Sequence, residues 1–148
     1  MFRKIDPWRV LVYNKRMMLV FQKISRWVLA IFFFVAGAYH FISPATYLPL
    51  MPGYLPWPLA LIYISGAAEM AGGVGICLPR WRRAAGWGLI ALLAAVFPAN
   101  IYMLTSHVLI AGQRVPEWIL WLRLPLQGVM MAWIYLCCVK SERRTSHF

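Results

Sequence analysis

The sequence predicts an all-α integral membrane protein, a four-helix bundle with both termini on the cytoplasmic side. Three observations carry that expectation. The 148 residues are 62% hydrophobic and only 13% charged, whereas a soluble domain has about 45–50% apolar and about 25% charged residues. Four apolar runs are each long enough to cross a ~30 Å hydrocarbon core at ~1.5 Å per residue. Fifteen Lys and Arg against four acids give a formal net charge of +11, and these bases gather in alternate connections, as the positive-inside rule requires. Eight Trp, eight Phe and seven Tyr exclude an intrinsically disordered chain.

Taken in order, residues 1–23 form a basic cytoplasmic segment, within which 1–16, with Trp8 and Tyr13, suit an interfacial amphipathic stretch. Residues 24–140 hold the spans, and 141–148 form a basic cytoplasmic tail. The first span is 25–43, where the run Trp27–Ile42 is interrupted only by His40. It is a poor signal peptide, because a long segment precedes it and no A-x-A site follows. The second span is Trp57–Leu78 with Glu69 inside, the third Ala84–Ser106 with Pro98 and Asn100, and the fourth Trp118–Val139 with Arg123, Pro125 and Gln127. None shows period-2 alternation, so backbone amides must bond within helices rather than close a barrel.

Thirteen of the fifteen basic residues lie on one side: seven from Arg3 to Arg26, three in the second-to-third connection, and three from Lys140 to Arg144. The first-to-second connection has none, and the third-to-fourth has Arg114. Charges confined to helix ends serve topology and anionic lipid, which speaks against nucleic-acid binding. Residues 44–58 contain Pro44, Pro49, Pro52, Pro56 and Pro58, with Tyr47, Tyr54 and Trp57 and no charge. Proline interrupts helix and Trp and Tyr settle at the interface. The segment is either a rigid turn or a lid over a cavity.

Polar groups within spans are expensive and are candidates for function. His40 ends the first span, Glu69 lies near mid-depth in the second, Asn100 sits in the third, and Arg123 and Gln127 lie at i, i+4 in the fourth. Together they form a polar cluster in the outer half of the membrane, as a ligand site or as interhelical glue. Gly66, Glu69 and Gly73 share one helical face, so a neighbouring helix can approach Glu69, and Arg123 is expected to pair with it. Pro98 and Pro125 free the carbonyls of Ala94 and Trp121, which an Asn or Arg could satisfy. His40, His107 and His147 lack metal-ligand spacing, so no metal is expected. Cys77, Cys137 and Cys138 map to the reducing side without a C-x-x-C pattern, so no functional disulfide is expected. No catalytic residue stands out.

The pieces Gly37-Ala38-Tyr39-His40-Phe41-Ile42-Ser43-Pro44, Leu55-Pro56-Trp57-Pro58, Tyr63-Ile64-Ser65-Gly66-Ala67-Ala68-Glu69, Val96-Phe97-Pro98-Ala99-Asn100 and Arg123-Leu124-Pro125-Leu126-Gln127 run in this order. In them the chain resembles the DoxX-like family of small four-pass membrane proteins. The resemblance implies a four-helix bundle in the bacterial inner membrane, and a setting shared with quinone-linked and oxidative-stress complexes. It transfers no catalytic role to His40, Glu69, Asn100, Arg123 or Gln127. Two kinds of function stand. One is an accessory or binding subunit with a polar intramembrane cavity, which takes a small amphipathic molecule or a membrane-protein partner. The other is a redox subunit holding quinone, or a small proton-coupled transporter using Glu69. The cofactor and any homo-oligomer stay open.

Reporter fusions at the C-terminus and in the 107–116 connection are expected on opposite sides of the membrane. The same compartment at both points would overturn the four-pass topology.

Overall fold

The computed structural model describes residues 7–105, 109–110, 113–114 and 116–140. The tail 141–148, with His147, and His107 lie outside the described residues. In chain order the elements are α1 (Pro7–Ile42), α2 (Pro44–Tyr47), a 3-10 turn (Leu48–Leu50), α3 (Pro58–Cys77) and α4 (Arg82–Thr105). A short antiparallel ladder follows, β1 (Leu109–Ile110) against β2 (Gln113–Arg114), then α5 (Glu117–Ile134) with a π-helical turn over Tyr135–Val139. Four helices are long and apolar enough to cross a membrane: Val12–Ile42, Pro58–Cys77, Arg82–Thr105 and Glu117–Val139.

The last three spans end within two residues of the expected limits, but the first does not. No break separates a segment ending at residue 23 from a span beginning at 24 or 25, because α1 runs without interruption from Pro7. The physical reason lies in the sequence: beyond Pro7 it has no proline and only Gly37 before Ile42, so nothing stops a helix once formed. Its 36 residues reach about 54 Å. Between Val12 and Ile24 every residue but Gln22 is exposed, and burial begins at Ser25. The first half of α1 therefore projects beyond the bundle, and the second half enters it at the position where the sequence places the span.

The helices form a ring in which α1 packs on α3, α3 on α4, α4 on α5 and its π turn, and the π turn on α1. Neighbours are antiparallel, and α3 and α5 stand diagonally. At the end where the ring closes, Leu29, Phe33, Ile76, Leu89, Ile134 and Cys138 make the core. Cys77, Cys137 and Cys138 are free thiols there. Arginines satisfy the late carbonyls of two helices, a need every helix end has. Arg82 Nε donates to Ile76 O at 3.2 Å and Arg26 Nη1 to Cys137 O at 3.5 Å.

Helix α3 fits between α1 and α4 through two sets of glycines. A Cβ on Gly37 would lie 2.5 Å from Gly66 O, and one on Gly66 would lie 2.6 Å from the His40 Cβ. Gly73 meets Ala30 O at 2.8 Å in the same sense, which continues the seam with α1. On the other side Gly72 rests on Leu89 and Gly75 on Ala85 of α4. Close backbone approach of this kind is how helices associate in lipid, where burial from water supplies no drive.

At the far end the proline-rich segment folds back on the bundle. Pro44 takes the first helical position of α2, where its missing N–H is no loss, and Ser43 Oγ and Thr46 Oγ1 bond at 2.8 Å. The 3-10 turn reaches α4, and Pro52 is fully buried. Trp57, in the left-handed region (φ 49°, ψ 56°), turns the chain into α3. The segment is thus a cap laid from α1 across to α4.

Gly37→Val and Gly66→Val are each expected to lower stability by about 1–3 kcal/mol through overpacking. Gly128→Ala, whose Cβ meets nothing within 4 Å, is expected to be neutral or stabilising by up to about 1 kcal/mol. Thermal unfolding in detergent, followed by circular dichroism, checks the contrast, and equal shifts would contradict it.

Candidate functional site

Beneath the cap, α1 and α3 bring His40, Ser65 and Glu69 together. His40 is buried, and its Nδ1 lies 3.0 Å from Ile62 O. A carbonyl only accepts, so Nδ1 carries the proton and donates. Ser65 Oγ donates to the same carbonyl at 2.9 Å and stands 3.2 Å from Nδ1. This fixes the ring with Nε2 directed at Glu69 Oε1, 3.8 Å away. At that separation the two make an ion-pair contact when the ring is protonated, and no hydrogen bond joins them. The second carboxyl oxygen, Glu69 Oε2, is buried with no hydrogen-bond partner among the described residues.

The cap closes this group from above. The Tyr47 ring stacks on His40 with centroids 3.9 Å apart, and Tyr39 meets Tyr47 edge-on at 6.2 Å. Burial pushes the Tyr47 phenol above its ordinary value; Glu69 and Tyr39 add to the rise and Arg123 opposes it. The phenol therefore keeps its proton at neutral pH and remains a donor.

A second polar group joins α4 to α5. Asn100 Nδ2 donates to Gln127 Oε1 at 2.9 Å, and Gln127 Nε2 donates to Leu93 O. Gln127 is buried. The sequence led us to expect Ala94 O as the carbonyl in need, satisfied by Asn or Arg. The structure places the bond one residue earlier and draws it from Gln127, which faces the bend before Pro98 from the adjacent helix.

The expected ion pair between Glu69 and Arg123 does not form. Glu69 lies eleven residues into α3 and Arg123 six into α5, depths of about 16 Å and about 9 Å from the capped end, and the two helices are diagonal. Arg123 is exposed, and its Nη1 reaches Met103 Sδ at 3.3 Å. The five residues His40, Glu69, Asn100, Arg123 and Gln127 are accordingly divided into His40–Glu69, Asn100–Gln127 and a peripheral Arg123. Tyr47 feels the charge of both Glu69 and Arg123. Ser65 and Tyr47 belong to the site although the sequence presented Ser65 only within the stretch Tyr63–Glu69 and Tyr47 only as a loop aromatic. Ser65 is four residues before Glu69, on the same helical face, a signal available in advance. Tyr47 reaches His40 only after the chain reverses at Pro44, and nothing local announces that.

A family model described as a domain of unknown function (DUF8561) matches residues 29–138. The chain belongs to the DUF8561 family. The match starts at Leu29, close to where α1 enters the bundle, so the DUF8561 region holds the ring of helices, the cap and all the polar residues above. No curated protein and no solved structure matches the chain. Among the described residues no group of three or more His, Cys, Asp or Glu is placed to hold a metal ion.

Asn100→Ala and Gln127→Ala are each expected to destabilise the DUF8561 bundle by about 0.6–2 kcal/mol. The double variant should lose less than the two losses added, since the groups bond each other. Arg123→Leu should shift unfolding by no more than about 0.5 kcal/mol and add independently to Glu69→Gln. A coupling between Glu69 and Arg123 would contradict the separation described here.

Proposed function

We propose that this DUF8561 chain is a non-catalytic, DoxX-like protein of the bacterial inner membrane that binds a small amphipathic molecule at its capped end. The observation that carries this reading is Glu69 Oε2, a buried carboxyl oxygen without a partner. Leaving such a group unpaired costs about 1–3 kcal/mol, and native chains keep such atoms where something else bonds them. A ligand hydroxyl or amine would donate to the carboxylate, and a ligand carbonyl would accept from Glu69 in its protonated form. The proton-bearing phenol of Tyr47 offers a second polar contact beside it. Apolar slots with a few convergent polar groups are the ordinary form of small-molecule sites. Both termini lie on the cytoplasmic side in this proposal, which rests on the distribution of Lys and Arg, so the capped end faces outward.

The test is mass spectrometry of small molecules extracted from full-length protein purified with its native lipids. Wild type is expected to carry one amphipathic species at near one per chain, reduced at least about tenfold in Glu69→Leu, a loss worth about 1.4 kcal/mol or more. Glu69→Leu removes the unpaired group, so thermal stability is expected to hold or rise, which separates lost binding from lost fold. Identical extracts from the two proteins would overturn the proposal. A quinone in the wild-type extract would identify the chain as the quinone-holding subunit of a redox complex.

A further inference from the structure

A second feature lies on the opposite side of α3 and at the other end of the bundle. There a groove of about 760 Å³ runs along α3 from Ala68 to Leu78. Its floor is made by small residues such as Ala71 and Gly75, one wall by Phe34 of α1, and the other by Trp81 and by Ala85, Gly88 and Leu89 of α4. No lining residue is charged. We propose that this groove is a binding site for one anionic phospholipid, with an acyl chain along α3 and the phosphate at Arg80 and Arg83.

Three observations select this occupant. The first is length. Ala68 to Leu78 is ten residue steps, about 15 Å, which is half of the ~30 Å hydrocarbon core and so the reach of one acyl chain in one leaflet. The second is position. The groove ends at the Leu78–Trp81 turn between two spans, which is where a headgroup lies when the chain lies along a helix, and Trp81 takes the place that aromatic side chains favour at that depth.

The third is charge. Arg80 directly precedes Trp81 and Arg83 is the second residue of α4; both are exposed. Neither forms a hydrogen bond or ion pair among the described residues, whereas Arg82 between them is engaged with Ile76 O. Two guanidinium groups at one end of an uncharged groove complement a molecule with an anionic head and an apolar tail. A transmembrane helix from a second copy would also fit the apolar floor, and the oligomeric state of Gly88→Phe distinguishes it from a lipid.

The geometry offers a variant that blocks the groove while sparing the fold. A Cβ added at Gly88 meets nothing within 4 Å, so Gly88→Phe extends into the groove without disturbing the packing of α3 on α4. Gly88→Ala leaves the groove open and serves as its control.

The experiment is native mass spectrometry of delipidated, full-length protein titrated separately with phosphatidylglycerol and phosphatidylcholine. Wild type is expected to retain one phosphatidylglycerol per chain at a lower lipid concentration than phosphatidylcholine. Arg80→Gln and Arg83→Gln should each weaken the preference by about fivefold, from ~1 kcal/mol per basic residue near the lipid surface, with unchanged thermal unfolding. Gly88→Phe should abolish retention of both lipids, and Gly88→Ala should keep it. Equal retention of the two lipids by wild type would overturn the proposal, as would phosphatidylglycerol retained undiminished by Gly88→Phe. Conversion of a dimer to a monomer by Gly88→Phe, with lipid retention unchanged, would assign the groove to a second copy instead. The groove lies on a different face of α3 from Glu69, and Arg80, Arg83 and Gly88 do not line the capped end, so these outcomes are independent of the small-molecule reading there.

Discussion

At the crossing of α1 and α3 the two backbones come so near that Gly66 O stands 2.5 Å from where a side chain on Gly37 would begin. The grouping of His40, Ser65 and Glu69 depends on that approach. His40 is three residues beyond Gly37, and Ile62 and Ser65 come one turn or less before Gly66. Only helices this close let an imidazole on one reach a carbonyl on the other at 3.0 Å. A larger residue at either glycine would lengthen that bond and release the ring that now faces Glu69. In lipid, packing and interhelical bonds replace the hydrophobic drive of soluble folding. The seam therefore provides both attraction and alignment.

The division of the polar residues follows from what each helix can reach. Side chains in a bundle meet those on adjacent helices at similar depth, and a ring of four has diagonals. Glu69 and Arg123 are on a diagonal and about one and a half turns apart in height, so each finds a different neighbour. Asn100 and Gln127 lie on adjacent α4 and α5, and their amides meet. Arg123 has a long apolar stem that keeps its head near the membrane surface, and this serves a cation better than a mid-depth ion pair, given the penalty of desolvating two charges.

Much of the fold was legible in the sequence, because run length, prolines and basic flanks are local signals. Trp57–Leu78, Ala84–Ser106 and Trp118–Val139 were placed to within two residues by hydropathy alone. The start of α1 was missed for a local reason as well. The basic residues before Ser25 suggest that the membrane ends there, and it is tempting to end the helix with it. Helix and membrane limits are separate quantities, and no residue between Pro7 and Ser25 breaks the backbone pattern. For the site, residue type marks His40, Glu69, Asn100, Arg123 and Gln127 as the costly groups within spans. Their partners were not legible, because pairing depends on ring order and on height, which no single helix encodes. The cap is an intermediate case: its five prolines announced an irregular segment, yet the stacking of Tyr47 on His40 depends on a chain reversal that composition does not specify.

Helix α3 explains why the molecule has two chemically different ends. Gly66 and Gly73 turn toward α1, and Gly72 and Gly75 toward α4, so a helix held between two neighbours has spent most of its circumference on small residues. What is left between those seams toward the outside, around Ala68 and Ala71, is too low to fill the space between Phe34 and α4, and a groove results. Glu69 follows Ala68 by one residue, which is ~100° around the helix, so the carboxyl falls inside while the alanine faces outward. The same adjacency separates a hydrogen-bonding site from an apolar one with only the thickness of a helix between them. A bulky residue at Ala68 would fill the groove without touching Glu69, and one at Gly66 would displace His40 without touching the groove. Two sites that share a helix but not a face can thus change independently, and α3 is the element through which each is defined.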